Sequence, residues 1–369
     1  MDACSVAPWA AEPRKTPMPR SVLVVGAGPA GLNFSAQLKK REPDCRITVV
    51  ERRAEDDFAG WGITLPISIS VAIGCPREAI HRVRSYHLLY GGKRHLESTL
   101  ELWAVAREAV MRALREQCAR LGVDLRHGVA IEREEDLRLS DFDLVVAADG
   151  GNSLVRDLFR EHFQPRRTVS ELRFSWLGAE RANDGMVATF EPADEGLYSA
   201  WAYPYSDTRS TFIVELTGNA WRKAGFEHRS EREALDHLAR LFPWAKLLPD
   251  QKLLWRTFTG VTCDSWSYRN IVLLGDAART IHYSQGAGTV MAIQDGNALA
   301  ELFSRTGNLD EVLQGLARRG ELVRKQQASG QSYVNWQSRV MHAFEQGNPN
   351  AVVEEIAQRE AARARPSGP

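Results

Sequence analysis

The chain has 369 residues, 44% hydrophobic and 25% charged, with 47 basic and 47 acidic side chains and no net charge. That is ordinary for a globular protein, with chain enough for two or three layers, and it offers no field to draw nucleic acid or an anionic membrane. No run of about 20 apolar residues is present for a membrane span, the N-terminus lacks the apolar stretch of a secretory signal, and five cysteines without a CxxC pair fit free thiols in a reducing cytoplasm rather than disulfides or a zinc site.

Residues 1–20 are rich in Ala and Pro and read as a disordered lead-in. Residues 22–25 form a short β-branched run, as expected of a buried parallel strand. A Gly-rich turn follows, then a helix carrying Leu32, Ala36 and Leu38, then a second apolar run at 47–50. The whole is a βαβ unit. Apolar positions over 103–121 predict an amphipathic helix that Gly122 stops. Residues 123–134 read as one or two strands, 134–136 as a solvated turn, and 142–148 as another buried strand ending at Asp149-Gly150. From about residue 170 polar and apolar residues alternate, which predicts an antiparallel sheet with one face covered. A helix near 229–241 follows. Residues 270–274 return to a buried strand before Gly275-Asp276, and 289–362 are mostly helical.

The turn reads Gly26-x-Gly28-x-x-Gly31, placed between a strand and a helix as dinucleotide binding requires. Gly26 permits the tight turn, Gly28 lets a pyrophosphate approach the backbone, and Gly31 lets helix and strand pack closely. Phosphates then sit at the helix N-terminus, where free N–H groups and the dipole favour anions. Glu51 ends the second strand, placed to accept hydrogen bonds from a ribose diol, so FAD or NAD fits better than NADP. Far along the chain, Asp276 follows a buried strand and can hold a polyol hydroxyl, which FAD has in its ribityl chain and NAD lacks. Gly286-Ala287-Gly288 then opens a helix whose N–H groups suit the anionic edge of a reduced flavin.

These stretches together resemble the FAD-dependent aromatic hydroxylases, the single-component flavoprotein monooxygenases of the p-hydroxybenzoate hydroxylase fold. The resemblance spans roughly residues 21–330. It rests on the Gly-rich turn with Glu51, on Asp149-Gly150 and on Gly275-Asp276. The segments 60–66 (GWGITLP) and 282–289 (HYSQGAGT) are similar to a subgroup containing salicylyl-CoA 5-hydroxylase and the violacein-pathway hydroxylase of a tryptophan derivative; residues 203–215 are especially like the latter. The chain has Tyr283 where many members carry a proline beside the flavin, and Arg279 where a histidine is frequent.

The resemblance implies an α/β fold with an α+β insert: a Rossmann-like FAD-binding domain, an antiparallel β-sheet substrate domain and C-terminal helices. Residues 21–60, 100–170 and 262–330 would build the first, 61–99 and 171–261 the second, and 331–369 a helical tail. It implies FAD as cofactor, NADPH (or NADH) as transient co-substrate, and O2. An aromatic small molecule, indole- or tryptophan-derived or an aryl thioester, would be hydroxylated through a flavin C4a-hydroperoxide, in secondary metabolism. The candidate cofactor residues are Gly26, Gly28, Ala30, Gly31, Glu51, Arg52, Gly62, Arg107, Asp149, Gly150, Gly275, Asp276, Gly286, Ala287, Gly288 and Thr289. Substrate candidates are Trp61, Thr64, Trp201, Tyr203 and His282, and His282, Tyr283 and Trp61 are candidates for a part in catalysis. Trp201, Tyr203 and Tyr205 share one strand face, where sheet core is the competing reading. No nucleophile motif such as GxSxG is present, and no metal is expected. The chain is expected to be cytoplasmic, as a monomer or homodimer. An FAD-dependent oxidase or dehydrogenase that removes hydride is the alternative, separated by whether oxygen enters the product.

Overall fold

The computed structural model describes residues 20–54, 60–180, 185–306, 311–312, 314–316, 320, 335–348 and 354–355. Residues 1–19 of the expected lead-in, Cys4 among them, and much of the expected tail lie outside the described residues.

In chain order the first unit is β1 (Ser21–Val25), α1 (Pro29–Arg41) and β2 (Arg46–Glu51). Next come β3 (Gly62–Thr64), α2 (Ile67–Ala72), β4 (Ile80–Tyr90), β5 (Lys93–Ala106), α3 (Arg107–Arg120), β6 (Asp124–His127) and β7 (Leu144–Ala147). After α4 (Leu154–Leu158) and α5 (Arg160–Phe163) run β8 (Pro165–Glu180), β9 (Met186–Ala193), β10 (Gly196–Pro204) and β11 (Arg209–Thr217). The chain continues through α6 (Gly218–Lys223), α7 (Glu231–Leu241), β12 (Arg256–Cys263), β13 (Ser267–Tyr268), β14 (Ile271–Leu273) and α8 (Gly288–Thr306). Residues 335–345 are helical.

Six strands form one sheet in the order β13-β14-β7-β1-β2-β6. The pairs around β1 are parallel, β1 with β2 and with β7, and β14 with β7. Val22, Val24, Val49, Val145 and Val146 are fully buried, which explains why the strands are continuous apolar runs: helices cover both faces. The topology also decides the site. Strands β14, β7 and β1 lie side by side, so the turns that follow them emerge on one edge, at the carboxyl ends where such sheets bind ligands.

Eight strands form a second sheet in the order β12-β8-β11-β10-β9-β4-β5-β3. One face buries Leu177, Tyr198, Phe212, Val214 and Leu216 against α6 and α7. On the other face Trp176 and Trp201 keep partial exposure although they stand on interior strands. The fold class is therefore the expected one, a Rossmann-like α/β unit with a sheet-rich substrate domain.

Two local expectations need correction. The helix expected over 103–121 begins at Arg107, because Ala104 and Val105 are claimed by cross-strand partners Thr64 and Ile80. The sheet is not antiparallel throughout, since β4 and β9, far apart in sequence, pair in parallel from Tyr86↔Met186 to Tyr90↔Phe190. Residues 123–134 hold one strand, β6, within the expected one or two. The hairpin of β4 and β5 was not foreseen, although Gly91-Gly92 at φ +52° and +71° is a recognised hairpin signal. Among the described residues no helix is long and apolar enough to cross a membrane.

Candidate active site

The Gly-rich turn is held from two sides. The Gly26 amide donates to Val50 O at 2.8 Å, and a Cβ on Gly26, at φ +104°, would stand 2.4 Å from Ala148 O. The turn is thus pressed against the end of β7. Gly31 meets Gly26 O at 2.3 Å in the same test, the tight helix–strand packing that the spacing implies. Gly28 is different. A Cβ there would meet only Ala148 O, at 4.0 Å, so the space above it is open. Gly28 caps α1 without a side-chain hydrogen bond, and Pro29 opens the helix. The first N–H groups of α1 are therefore offered outward. Glu51 Oε2 accepts from the Ala27 amide at 2.9 Å and Oε1 from the Arg53 amide at 3.0 Å. Each oxygen keeps further acceptor capacity.

A cavity of about 250 Å³ runs along this edge, lined by Gly26, Gly28, Glu51, Arg52, Arg107, Asp149 and Gly150 among others. Asp149 Oδ2 accepts from the Leu154 and Val155 amides at 2.8 and 3.2 Å, which starts α4. Its Oδ1 is buried and accepts no hydrogen bond. Burial pushes this carboxyl above its ordinary range, against the hydrogen bonds that favour its ionised form. A buried acceptor without a partner costs about 1–3 kcal/mol, which a donor in the cavity would recover.

Asp276 follows β14 in a tight turn, Gly275–Ala277. It retains exposed surface, yet desolvation dominates its carboxyl and pushes it up, partly countered by Arg279 and Arg107. Arg107, the first residue of α3, is itself lowered by burial and then by Arg53. Arg279 donates to Asp295 Oδ2 at 2.6 Å, with both residues buried, and so ties the loop to α8. A Cβ on Gly275 would stand 2.9 Å from Ala30 Cβ, so two motifs far apart in sequence touch. Gly286, at φ +60°, accepts at its carbonyl from Thr64 Oγ1 at 3.3 Å. Gly288 opens α8 with open space around it, and Ala287 and Thr289 flank it half-buried.

The large sheet supplies the opposite wall. Trp61 lies flat on Gly178 of β8, where a Cβ would come within 2.6 Å of its ring. The Gly62 carbonyl accepts from Tyr203 Oη at 3.0 Å and Thr211 Oγ1 at 2.8 Å. Tyr203 is thereby buried sheet structure that pins β3. Trp201 packs towards Tyr86, centroids 6.4 Å apart, and belongs with the cluster under residues 335–345. His282 is buried, with Nδ1 2.8 Å from Ser284 Oγ, and burial lowers its imidazole to about 4. Tyr283 is half-buried against Phe174, with ring centroids 4.4 Å apart.

Two features escaped sequence reasoning. Arg156, fully buried, donates to Gly151 O at 2.8 Å and Ala277 O at 3.0 Å, clamping the Asp-Gly and Gly-Asp turns together. Glu215, fully buried, accepts from Tyr283 Oη and from Gln337 Nε2. The first had no sequence signal. The second had one, an acidic residue at an alternation position of an apolar strand.

Open space at Gly28, the outward amides of α1, the unpartnered Asp149 oxygen and the Asp276 carboxyl after β14 together fit an extended dinucleotide with a polyol, as FAD is. Comparison with known proteins agrees. The model of the FAD binding domain family matches residues 96–325, and that of an NAD(P)-binding Rossmann-like domain matches residues 24–64. Salicyloyl-CoA 5-hydroxylase of a Streptomyces species is 32% identical over 85% of this chain, which spans 65% of that protein's length. Protodeoxyviolaceinate monooxygenase of Chromobacterium violaceum is 33% identical, over 74% of this chain and 76% of that one. A 3-hydroxy-4-methyl-anthranilyl-[aryl-carrier protein] 5-monooxygenase of Streptosporangium sibiricum is 31% identical, over 86% and 89%. Among solved structures, the tetrameric form of 2-methyl-3-hydroxypyridine-5-carboxylic acid oxygenase aligns with TM-score 0.73 at 20% identity, over 86% of this chain and 91% of that one, which shows a shared fold. The chain belongs to the FAD-dependent aromatic hydroxylases, a family of flavoprotein monooxygenases.

Proposed function

We propose that this chain hydroxylates an aromatic small molecule, indole- or tryptophan-derived or an aryl thioester, using NAD(P)H and O2, in secondary metabolism. The observation that carries the reading is the wall of half-exposed aromatic side chains, Trp61, Phe174, Trp176 and Tyr283, on the side of the large sheet that also meets the α8 turn. Aromatics with surface to spare, two of them on interior strand β8, are what a flat apolar ligand would cover. The names of the relatives favour the same class: salicyloyl-CoA, protodeoxyviolaceinate and a carrier-bound anthranilyl group.

Bound FAD would supply the electron transfer and oxygen activation. The chain's residues bind and orient. The α1 amides and Gly28 would take the pyrophosphate, Glu51 the adenosine ribose, Asp276 and Arg107 the ribityl region, and the α8 start the flavin's pyrimidine edge. The aromatic wall excludes water from the reacting ring. His282, neutral at physiological pH, serves as a hydrogen-bonding group rather than a strong base. Among the described residues NAD(P)H has no second Gly-rich βαβ unit to occupy, and it would bind transiently.

Anaerobic stopped-flow of the purified flavoprotein with NADPH, with and without indole and salicyloyl-CoA, tests the reading. The expected result is faster flavin bleaching at about 450 nm, the band of the oxidised cofactor, with one aromatic present, and an oxygenated product after air is admitted. Bleaching by the organic compound alone, with no oxygen in the product, would establish the oxidase or dehydrogenase alternative instead.

A further inference from the structure

Helix α3 carries two kinds of arginine. Arg112 and Arg120 are exposed, and each lies beside the carboxylate four residues before it, Glu108 and Glu116. Surface pairs of that kind add little beyond the helix itself. Arg107 and Arg115 do otherwise. Residues four and eight apart share one side of a helix, and Arg107, Met111 and Arg115 all line the cofactor cavity. Met111 is buried between them and Arg115 is half-buried, so the stem of Arg115 is held against the cavity wall. Burial lowers Arg107 first, then the like charge of Arg53 and, least, that of Arg115, against Asp276. Three guanidiniums within reach of one another suit a ligand with negative charge, as the pyrophosphate of FAD has.

The two inward arginines cannot serve the same part of a ligand. The Arg107 amide donates to Trp61 O at 3.0 Å, and its charge acts on Asp276 after β14. Arg115 lies eight residues on, about 12 Å along the helix axis. The sheet order puts β14 and β7 on one side of β1 and β2 and β6 on the other. Glu51, Val129 and Ile131, which follow β2 and β6, therefore mark the end of the cavity away from Asp276. There the Val129 amide donates to Glu51 O at 3.0 Å and the Gly128 amide to Arg53 O at 3.2 Å, which joins the two segments. Val129 is an apolar side chain left 38% exposed on the cavity wall, with Ile131 half-buried beside it. Apolar surface on one wall and a planar cation on another are what a flat heteroaromatic base takes up, since guanidinium stacks on aromatic faces. Arg52 and Arg53 line the same cavity but are exposed, whereas Arg115 is already packed in place. We infer that Arg115 is a positioning residue for the adenosine half of FAD: its guanidinium stacks on the adenine ring, with Val129 and Ile131 against the ring's other face, and this contact makes the cavity prefer FAD to FMN. This rests on the FAD reading of the cavity.

The test titrates full-chain apoprotein with FAD, with ADP, which carries the adenosine, and with FMN, which carries the flavin. Arg115→Met and Arg115→Lys are compared with wild type, and Arg112→Met on the outer side of α3 is the control. Both Arg115 variants are expected to weaken FAD about tenfold or more, what loss of a stacking partner costs one base, and to weaken ADP by the same factor. FMN affinity and the spectrum of bound FAD should stay as in wild type, and Arg112→Met should change nothing. Lysine keeps the charge without the plane, so its failure to rescue separates stacking on the base from attraction to a phosphate. A general effect on the fold would weaken FMN as much as ADP. FAD affinity within about twofold of wild type in Arg115→Met, full rescue by Arg115→Lys, or equal losses for ADP and FMN each overturns the inference and leaves the FAD reading standing. Wild-type apoprotein that binds neither FAD nor ADP overturns that reading and this inference with it.

Discussion

His282 is set by its surroundings more than by its identity. Its ring lies between Phe258 and Tyr283, at centroid distances of 4.6 and 4.2 Å, and burial lowers the imidazole to about 4. Its ordinary value is about 6.5. Between these two values the unfolded chain takes up a proton that the folded chain refuses. The stabilisation from His282 is therefore complete above about pH 6.5 and is lost as pH falls towards 4. At about 1.4 kcal/mol per pH unit, the loss by pH 4.5 is roughly 2–3 kcal/mol. His282→Gln should flatten that part of the profile when urea unfolding is compared at pH 7.5 and 4.5. An unchanged difference between the two pH values would show that the ring is not held neutral by the fold.

The start of α1 joins local chemistry to ligand chemistry. Gly26 and Gly28 both belong to the same turn, but different neighbours constrain them. A side chain at Gly26 meets backbone at 2.4 Å and an unfavourable φ of +104°; one at Gly28 meets nothing nearer than 4.0 Å. The fold accounts for the first position and leaves the second open. Gly28→Ala is expected to fold, with apoprotein stability within about 1 kcal/mol of wild type, while FAD affinity falls at least about tenfold as the methyl takes the phosphate's approach. Gly26→Ala should destabilise the apoprotein itself by a few kcal/mol. Equilibrium unfolding of both apoproteins and flavin titration separate the cases; a Gly28→Ala protein that retains FAD as tightly as wild type would remove the pyrophosphate from that place.

On the scale of the whole molecule, the proposed cofactor site would be assembled from turns after β1, β7 and β14, from the first residue of α3 and from the start of α8. Arg156 links the Asp-Gly and Gly-Asp turns through two backbone carbonyls. A ligand touching all these places binds the folded chain and not the unfolded one, so it stabilises by RT ln(1 + [L]/Kd), about 4 kcal/mol at a thousandfold excess over Kd. Apoprotein titrated with FAD should melt several degrees higher, while NAD at equal concentration, which has no ribityl chain for Asp276, should shift it far less. Equal shifts would mean that only the adenosine half of the site is formed.

Local pattern alone was enough for the three glycine-bearing turns, the βαβ unit and the alternation of β9, β10 and β11, because turn chemistry and side-chain period act within a few residues. With them came the fold class and the nature of the cofactor. Pattern failed where long-range pairing overrode it. Residues 103–106 have helical spacing but become strand because partners at 64 and 80 claim them. Elsewhere neighbours supplied what pattern left open: Trp61 rests on Gly178, and Tyr203, for which sheet core was the competing reading, holds the Gly62 carbonyl. Glu215, Tyr283 and Gln337 could not be joined from sequence, since separations of 68 and 122 residues are closed only by sheet register and by docking of residues 335–345. The sequence by itself determined which chemistry the chain can host; the tertiary structure decided which side chains surround it, because burial and hydrogen-bond partnership are properties of neighbours in space.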